Sequence, residues 1–213
     1  MTWQFLSEKD VQYFQFAHPE FTAFYSTKRG QDALVKKLDP VFLKQIHSDI
    51  IINIDQSSER TGDGLTGSAR RYLGIKIADC LPVYLFSGSR IAILHCGWRG
   101  IIAGIARQAR RILGDFHYLL GASIGPCCYE VKEDVSGRFE REYDKAIVTR
   151  DGKQHLDLKA AVIEDLGSTG LIGSLDLCTK CRTDLFYSNR GGDTGRNFAA
   201  IGHLAGEVKH DRQ

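Results

Sequence analysis

The chain has 213 residues, a formal charge of +2, 43% hydrophobic residues and six cysteines. That length and apolar content predict one large domain spanning 1–213 with a sizeable core. The near-neutral charge argues against nucleic-acid and membrane-surface partners, and no apolar run approaches the ~18 residues of a membrane span. MTWQFLSEKD has no basic stretch leading into an apolar run, so reduced thiols in a cytoplasmic setting are expected.

Aromatic, turn-rich residues before position 30 predict one or two strands. QDALVKKLDPVFL has a helical period that Pro40 should end. KQIHSDIIINID is expected as a strand with His47 near its beginning. Residues 55–70 are expected as a glycine-rich polar loop carrying Thr61, Asp63 and Thr66 at its tip. YLGIKIADC alternates as a strand ending near Cys80, and PVYLFSGSRIAILHC reads as a hairpin turning at Ser87-Gly88-Ser89. These three strands are expected to be neighbours. Gly97 breaks the last one, and Ile101, Ile102, Ile105, Ala109, Ile112 and Leu113 then share one face of a helix over 100–113.

YLLGASIGPCCYEV reads as a buried strand ended by Gly125-Pro126, and EDVSGRFEREYD as a charged helix. AIVTRDGKQHLDL reads as a hairpin about Asp151-Gly152. Asp157 is placed to cap the helix LKAAVIEDL, which Gly167 should close. SLDLCT is expected as a short strand, and FYSNRGGDTGRNFAAIGHL as a loop with strand-like ends. The whole is a mixed α/β pattern.

His47, Cys80 and His95 each fall at or near a predicted strand end. Two imidazoles and a thiolate suit zinc, and three protein ligands leave a fourth position open, as catalytic sites do. Asp79 is placed to hold a ligand or move a proton. Ligands 33 and 15 residues apart match no short zinc pattern, and two core histidines with a buried thiol would look the same. Cys178-x-x-Cys181 lacks a second such pair. Adjacent Cys127 and Cys128 would point to opposite faces of a strand, so these four read as ordinary buried thiols. Ser188, Arg190, Thr194 and Arg196 sit on a glycine loop that either closes around an oxyanion or forms a solvated turn.

QIHSD (45–49), DGLTG (63–67), ADCLP (78–82), HCGWRG (95–100), IGPCCYEV (124–131) and LCT with the TGR loop (177–196) together resemble the motifs of the YfiH/laccase-domain family. The resemblance implies an α+β fold, a four-layer α/β/β/α sandwich with mixed sheets. It implies zinc on His47, Cys80 and His95, to which the residue reading adds Asp79 as a catalytic candidate. It also implies phosphorolysis of adenosine, inosine, guanosine or methylthioadenosine, with adenosine deamination as a further activity. The small-molecule partners are then a nucleoside and phosphate, for which Arg99, Arg190, Arg196 and Ser188 are the candidate contacts.

The chain departs from the family pattern in three places. Cys96 stands where Ala is usual, which would add a thiol near the metal, and Asn189 replaces an Arg of the late loop. FTAFYSTKRGQD matches the family's N-terminal motif poorly, leaving Ser26 and Arg29 as weak nucleoside contacts. The alternatives are a copper-dependent polyphenol oxidase, a zinc or cysteine hydrolase with Cys80 as nucleophile and His95 as base, and a zinc-stabilised interaction module. Copper is the alternative occupant of a His/His/Cys set. Against an oxidase, Met1 is the one methionine available as an axial ligand, and the seven histidines include no His-x-His pair.

Overall fold

Thirteen strands and five α-helices form from this pattern in a computed structural model that describes residues 1–68 and 71–202. The N-terminal region gives three strands rather than one or two: β1 (Gln4–Glu8), β2 (Val11–Ala17) and β3 (Thr22–Ser26). They join β13 (Asn197–Gly202) and β6 (Leu73–Ile77) in a five-stranded sheet of order β1-β2-β3-β13-β6, antiparallel throughout. A second, mixed sheet has the order β12-β9-β7-β8-β5-β4. Its strands are β12 (Leu171–Ser174), β9 (His117–Leu120), β7 (Leu81–Ser87), β8 (Arg90–Cys96), β5 (Gly64–Ser68) and β4 (Ile51–Asn53). The outer pairs β12/β9 and β5/β4 are parallel and the inner pairs antiparallel.

The two sheets share a core in which Tyr25, Ile75, Ala199 and Ile201 of the first meet Leu65, Tyr84, Ile91, Ile93 and Leu119 of the second. Tyr84 donates its hydroxyl across this core to the Phe24 carbonyl at 3.0 Å, which satisfies a buried polar group. Helix α1 (Gln31–Leu38) covers the outer face of the first sheet through Leu34 and Leu38, packed with Tyr13, Phe24 and Phe198. Helices α2 (Trp98–Ala103), α3 (Ile105–Leu113), α4 (Glu133–Glu142) and α5 (Leu158–Leu166) contribute to the cluster on the other face of the second sheet. The stacking is compatible with the implied α/β/β/α layering.

Several expectations change. The helix over 100–113 is two helices, because Gly104 adopts φ +95 and its N–H returns to the carbonyls of Gly100 and Ile101. Ile112, placed on the apolar face from sequence, is 40% exposed. Strand β6 is not a neighbour of β7: the chain crosses between sheets at Asp79-Cys80, with Asp79 at φ +83. The expected loop at 55–70 contains strand β5, and Asp63 at its start is fully buried. Its glycines mark close packing, since a Cβ on Gly64 or Gly67 would meet the Ile51 or Ile54 side chain at 2.7 Å. Residues 69–70 of that segment, and residues 203–204 of the last expected strand end, lie outside the described residues.

Other expectations hold. The β7/β8 hairpin forms in the register Leu81↔Cys96 and Pro82↔His95. The hairpin of β10 (Ile147–Arg150) and β11 (Lys153–Leu156) turns at Asp151-Gly152. Asp157 caps α5 by accepting from the N–H groups of Lys159 and Ala160, and Gly167 ends it. The strand expected over SLDLCT shifts earlier, to β12.

Candidate metal centre

The register of the β7/β8 hairpin places Cys80, one residue before β7, beside His95 near the end of β8. His47 arrives from a loop ahead of β4 rather than from the expected strand, at φ +61. The potential ligand atoms of His47, Cys80 and His95 all lie within 4.8 Å of one another, and the two imidazole centroids are 4.9 Å apart. Two residues of this site region, His47 and Asp79, thus hold left-handed backbone conformations without being glycine, a form of strain that recurs at functional sites.

Asp63 organises the group. Its Oδ1 lies 2.8 Å from His95 Nδ1, and its Oδ2 accepts from the N–H of Ile46 (3.1 Å), the N–H of Ser48 (2.6 Å) and the Ser48 hydroxyl (2.8 Å). One buried carboxylate therefore fixes the His95 ring and the residues on both sides of His47. Sequence reasoning left Asp63 in a loop. The available signal was the habit of metal-ligating histidines to bind a carboxylate through the other ring nitrogen. With Nδ1 committed to Asp63, Nε2 is the His95 nitrogen left for a metal.

The electrostatics of the three side chains are coupled. Burial pushes the Cys80 thiol up, but the charge and hydrogen bonds of His95 and His47 outweigh it and bring it down to about 6. Burial opposes a charge on His95, yet Cys80 and Asp63 raise it to about 9. Burial likewise opposes charge on Asp63, and its bonds to His95 and Ser48 hold it well below the usual carboxylate range. Cys80 and His95 thus each favour the charged form of the other.

The residues fit a metal sterically as well. A Cβ on Gly97 would stand 3.0 Å from Cys80 Sγ and 3.4 Å from His47 Cδ2, so glycine keeps this space clear. Two nitrogens and one sulfur at this spacing form a donor set suited to a divalent metal such as zinc.

Beside the group opens a cavity of about 620 Å³ lined by Gln45, Lys76, Asp79, Trp98, Tyr129, Asn189, Arg190 and Arg196, among others. Gln45 holds the strand edge, donating to the Lys76 carbonyl and accepting from the Lys76 N–H, each at 2.9 Å. Both carboxylate oxygens of Asp79 are engaged at 2.7 Å, one by the Thr179 hydroxyl and one by the Arg190 N–H. Asp79 therefore fastens two loops to the start of β7, with each carboxylate oxygen holding one donor.

Of the four proposed phosphate or substrate contacts, Arg190 and Arg196 line the cavity. Arg99 is exposed and lies over the Trp98 ring at 4.3 Å, outside the lining. Ser188 is fully buried, and its hydroxyl accepts from the Gly191 N–H at 3.0 Å, so it shapes the loop from beneath. Cys96 does not join the ligand cluster. As the next residue after His95 on β8 it faces the opposite side, wholly buried with Leu81, Ile101 and Ile105. Ser26 is buried and donates no side chain to the cavity lining, its oxygen accepting instead from the Phe198 N–H. Arg29 also lies outside that lining.

The model of one family, described as multi-copper polyphenol oxidoreductase laccase, matches residues 26–203. The chain belongs to this family. A purine nucleoside phosphorylase of Clostridium acetobutylicum is 30% identical, over 93% of this chain and 94% of its own. The purine nucleoside phosphorylase YlmD of Geobacillus stearothermophilus is 33% identical, over 76% of this chain and 71% of its own. The crystal structure of Bacillus licheniformis YfiH matches with a TM-score of 0.81, covering 94% of this chain and 99% of that one at 23% identity, which is a likeness of fold. The family description names copper. Among the described residues, the two clusters able to hold a metal contain two histidines between them, far from a histidine-rich multicopper set.

Proposed function

We propose that the chain is a zinc-dependent purine nucleoside phosphorylase acting on adenosine, inosine, guanosine or methylthioadenosine. The observation that carries this reading is the convergence of His47, Cys80 and His95 at a cavity whose lining also includes Arg190, Arg196 and Lys76. The names of the relatives at about 30% identity support it. Zinc held by the two imidazoles and the thiolate would supply Lewis-acid polarisation in the cavity.

The reaction joins a phosphate oxygen to C1′ of the ribose as the C1′–N9 bond breaks. The purine leaves with the electron pair and takes up a proton, giving free base and ribose 1-phosphate. The chain's part is to concentrate and orient the anion. Arg190 is anchored by the Glu130 carbonyl at 2.8 Å, and Arg196 by the carbonyls of Thr194 and Gly195 at 2.9 and 2.8 Å. A guanidinium has more N–H donors than these bonds use, and bidentate contact with phosphate is its preferred mode. Tyr129 and Trp98 offer aromatic surface for a purine, with Asn189 and Gln45 as polar edges.

The same site also carries, in this reading, deamination of adenosine: water adds at C6 and ammonia leaves to give inosine. Its support is the histidine and cysteine donor set, of the kind zinc deaminases use. Zinc-loaded protein with inosine should release hypoxanthine and ribose 1-phosphate only when phosphate is present, as read by chromatography. Equal release of hypoxanthine and free ribose without phosphate would replace phosphorolysis by hydrolysis. Adenosine should additionally yield ammonia, and its absence would remove the deaminase activity.

A further inference from the structure

Four cysteines meet at a place the reaction does not use. Cys127 and Cys128 lie in a turn, not on the strand that sequence suggested. The N–H groups of Cys128 and Tyr129 both return to the Gly125 carbonyl, at 2.9 and 3.0 Å. That curvature lets adjacent side chains point the same way. Cys178 and Cys181 flank a second turn, closed by the Arg182 N–H on the Cys178 carbonyl at 3.0 Å. The two turns are clamped together by the Thr179 N–H on the Ser123 carbonyl, also at 3.0 Å.

All four sulfurs lie within 4.8 Å of one another, with Cys181 Sγ 3.6 Å from Cys127 Sγ and 3.4 Å from Cys128 Sγ. A tetrahedral ion at about 2.3 Å from each sulfur sets sulfur–sulfur separations of about 3.8 Å. The Gly125 N–H donates to Cys178 Sγ at 3.3 Å and helps fix that sulfur in place. Cys127 and Cys181 are exposed and the other two half-buried, so an ion has access from solvent. Ordinary buried thiols, the expectation from sequence, do not describe this arrangement: Cys181 is near-equidistant from two partners, which suits a shared centre better than a pair.

We propose that Cys127, Cys128, Cys178 and Cys181 form a second metal site, a structural tetrathiolate for zinc, separate from His47, Cys80 and His95. Four protein ligands close the coordination sphere, which is the mark of a structural site. Its work is mechanical. Thr179, wholly buried between Cys178 and Cys181, is the residue whose hydroxyl binds Asp79, the neighbour of Cys80. An ion at the four sulfurs would hold that turn, and through Asp79 the crossover that presents Cys80.

The test is metal content by mass spectrometry on protein isolated under reducing conditions and loaded with zinc alone. The full chain should hold about two zinc ions, and both Cys127→Ser/Cys181→Ser and His47→Ala/Cys80→Ser should hold about one. With cobalt in place of zinc, thiolate charge-transfer absorption from the four-sulfur site should persist in His47→Ala/Cys80→Ser. The second variant leaves the four cysteines intact, so the outcome does not depend on the first one folding. Loss of all tightly bound metal from His47→Ala/Cys80→Ser would overturn the proposal. So would unchanged metal content in a folded Cys127→Ser/Cys181→Ser, or cysteines recovered as disulfides from reductant-treated, zinc-loaded protein.

Discussion

Asp63→Asn isolates the residue that organises the metal ligands. The carboxylate faces His95 Nδ1 with one oxygen and three donors from Ile46 and Ser48 with the other. An amide of the same shape cannot serve both sides. If its NH₂ faces His95, Nδ1 must act as acceptor and the proton moves to Nε2, which removes the lone pair a metal needs. If the NH₂ faces Ile46 and Ser48, buried donors are left opposed, at about 1–3 kcal/mol for each unsatisfied group. We expect a loss of about 10–100-fold in zinc affinity, the usual effect of removing a carboxylate behind a ligating histidine. A destabilisation of about 2–3 kcal/mol should lower Tm by about 4–12 °C for a chain of this size. Affinity is read by competition with a chromophoric chelator in a Cys127→Ser/Cys181→Ser background, so that one site reports, and Tm by circular dichroism. Ser48→Ala, which spares the bond to His95, should bind zinc within about twofold of the parent. Zinc binding by Asp63→Asn within that same twofold would refute the reasoning.

Other expectations can be checked alongside. Gly97→Ala puts a methyl 3.0 Å from Cys80 Sγ and should cut zinc affinity, while its ordinary φ of −81 spares the backbone; chelator competition and a thermal melt separate the two effects. Cys96→Ala removes a wholly buried sulfur and should cost stability, about 1 kcal/mol in urea denaturation, without changing metal content. Thr179→Val keeps the shape but takes a buried hydroxyl from Asp79, so kcat/KM for inosine should fall, with nearly full zinc content at both sites. Asp157→Ala removes the α5 cap and should lower urea stability by about 1 kcal/mol at constant m-value.

Features set by neighbouring residues were the legible ones. The Ser87-Gly88-Ser89 and Asp151-Gly152 turns, the Asp157 cap and the Gly167 stop are chemical properties of short segments, and all are present in the fold. Features set by pairing at a distance were not. β6 reads as a strand just as β7 does, and nothing local tells it to pair with β13 in another sheet. Gly64 and Gly67 read as loop because glycine serves both loops and tightly packed strands, and that hid both β5 and the burial of Asp63. At the site, the motifs QIHSD, ADC and H-x-GWRG exposed His47, Cys80 and His95 as a group, while the expectation of Cys96 near the metal overlooked strand alternation, which turns it to the opposite face from His95. The four-cysteine cluster was missed because Cys127-Cys128 was read on a strand. A turn after Gly125-Pro126 reverses that geometry.

The most direct test of the whole account strips the protein with chelator, verifies the loss of metal from the His47, Cys80 and His95 site, and follows ribose 1-phosphate formation from inosine and phosphate. Activity should disappear with the ion and return in proportion as zinc is restored to that site. Undiminished formation of ribose 1-phosphate by protein with that site emptied would contradict it.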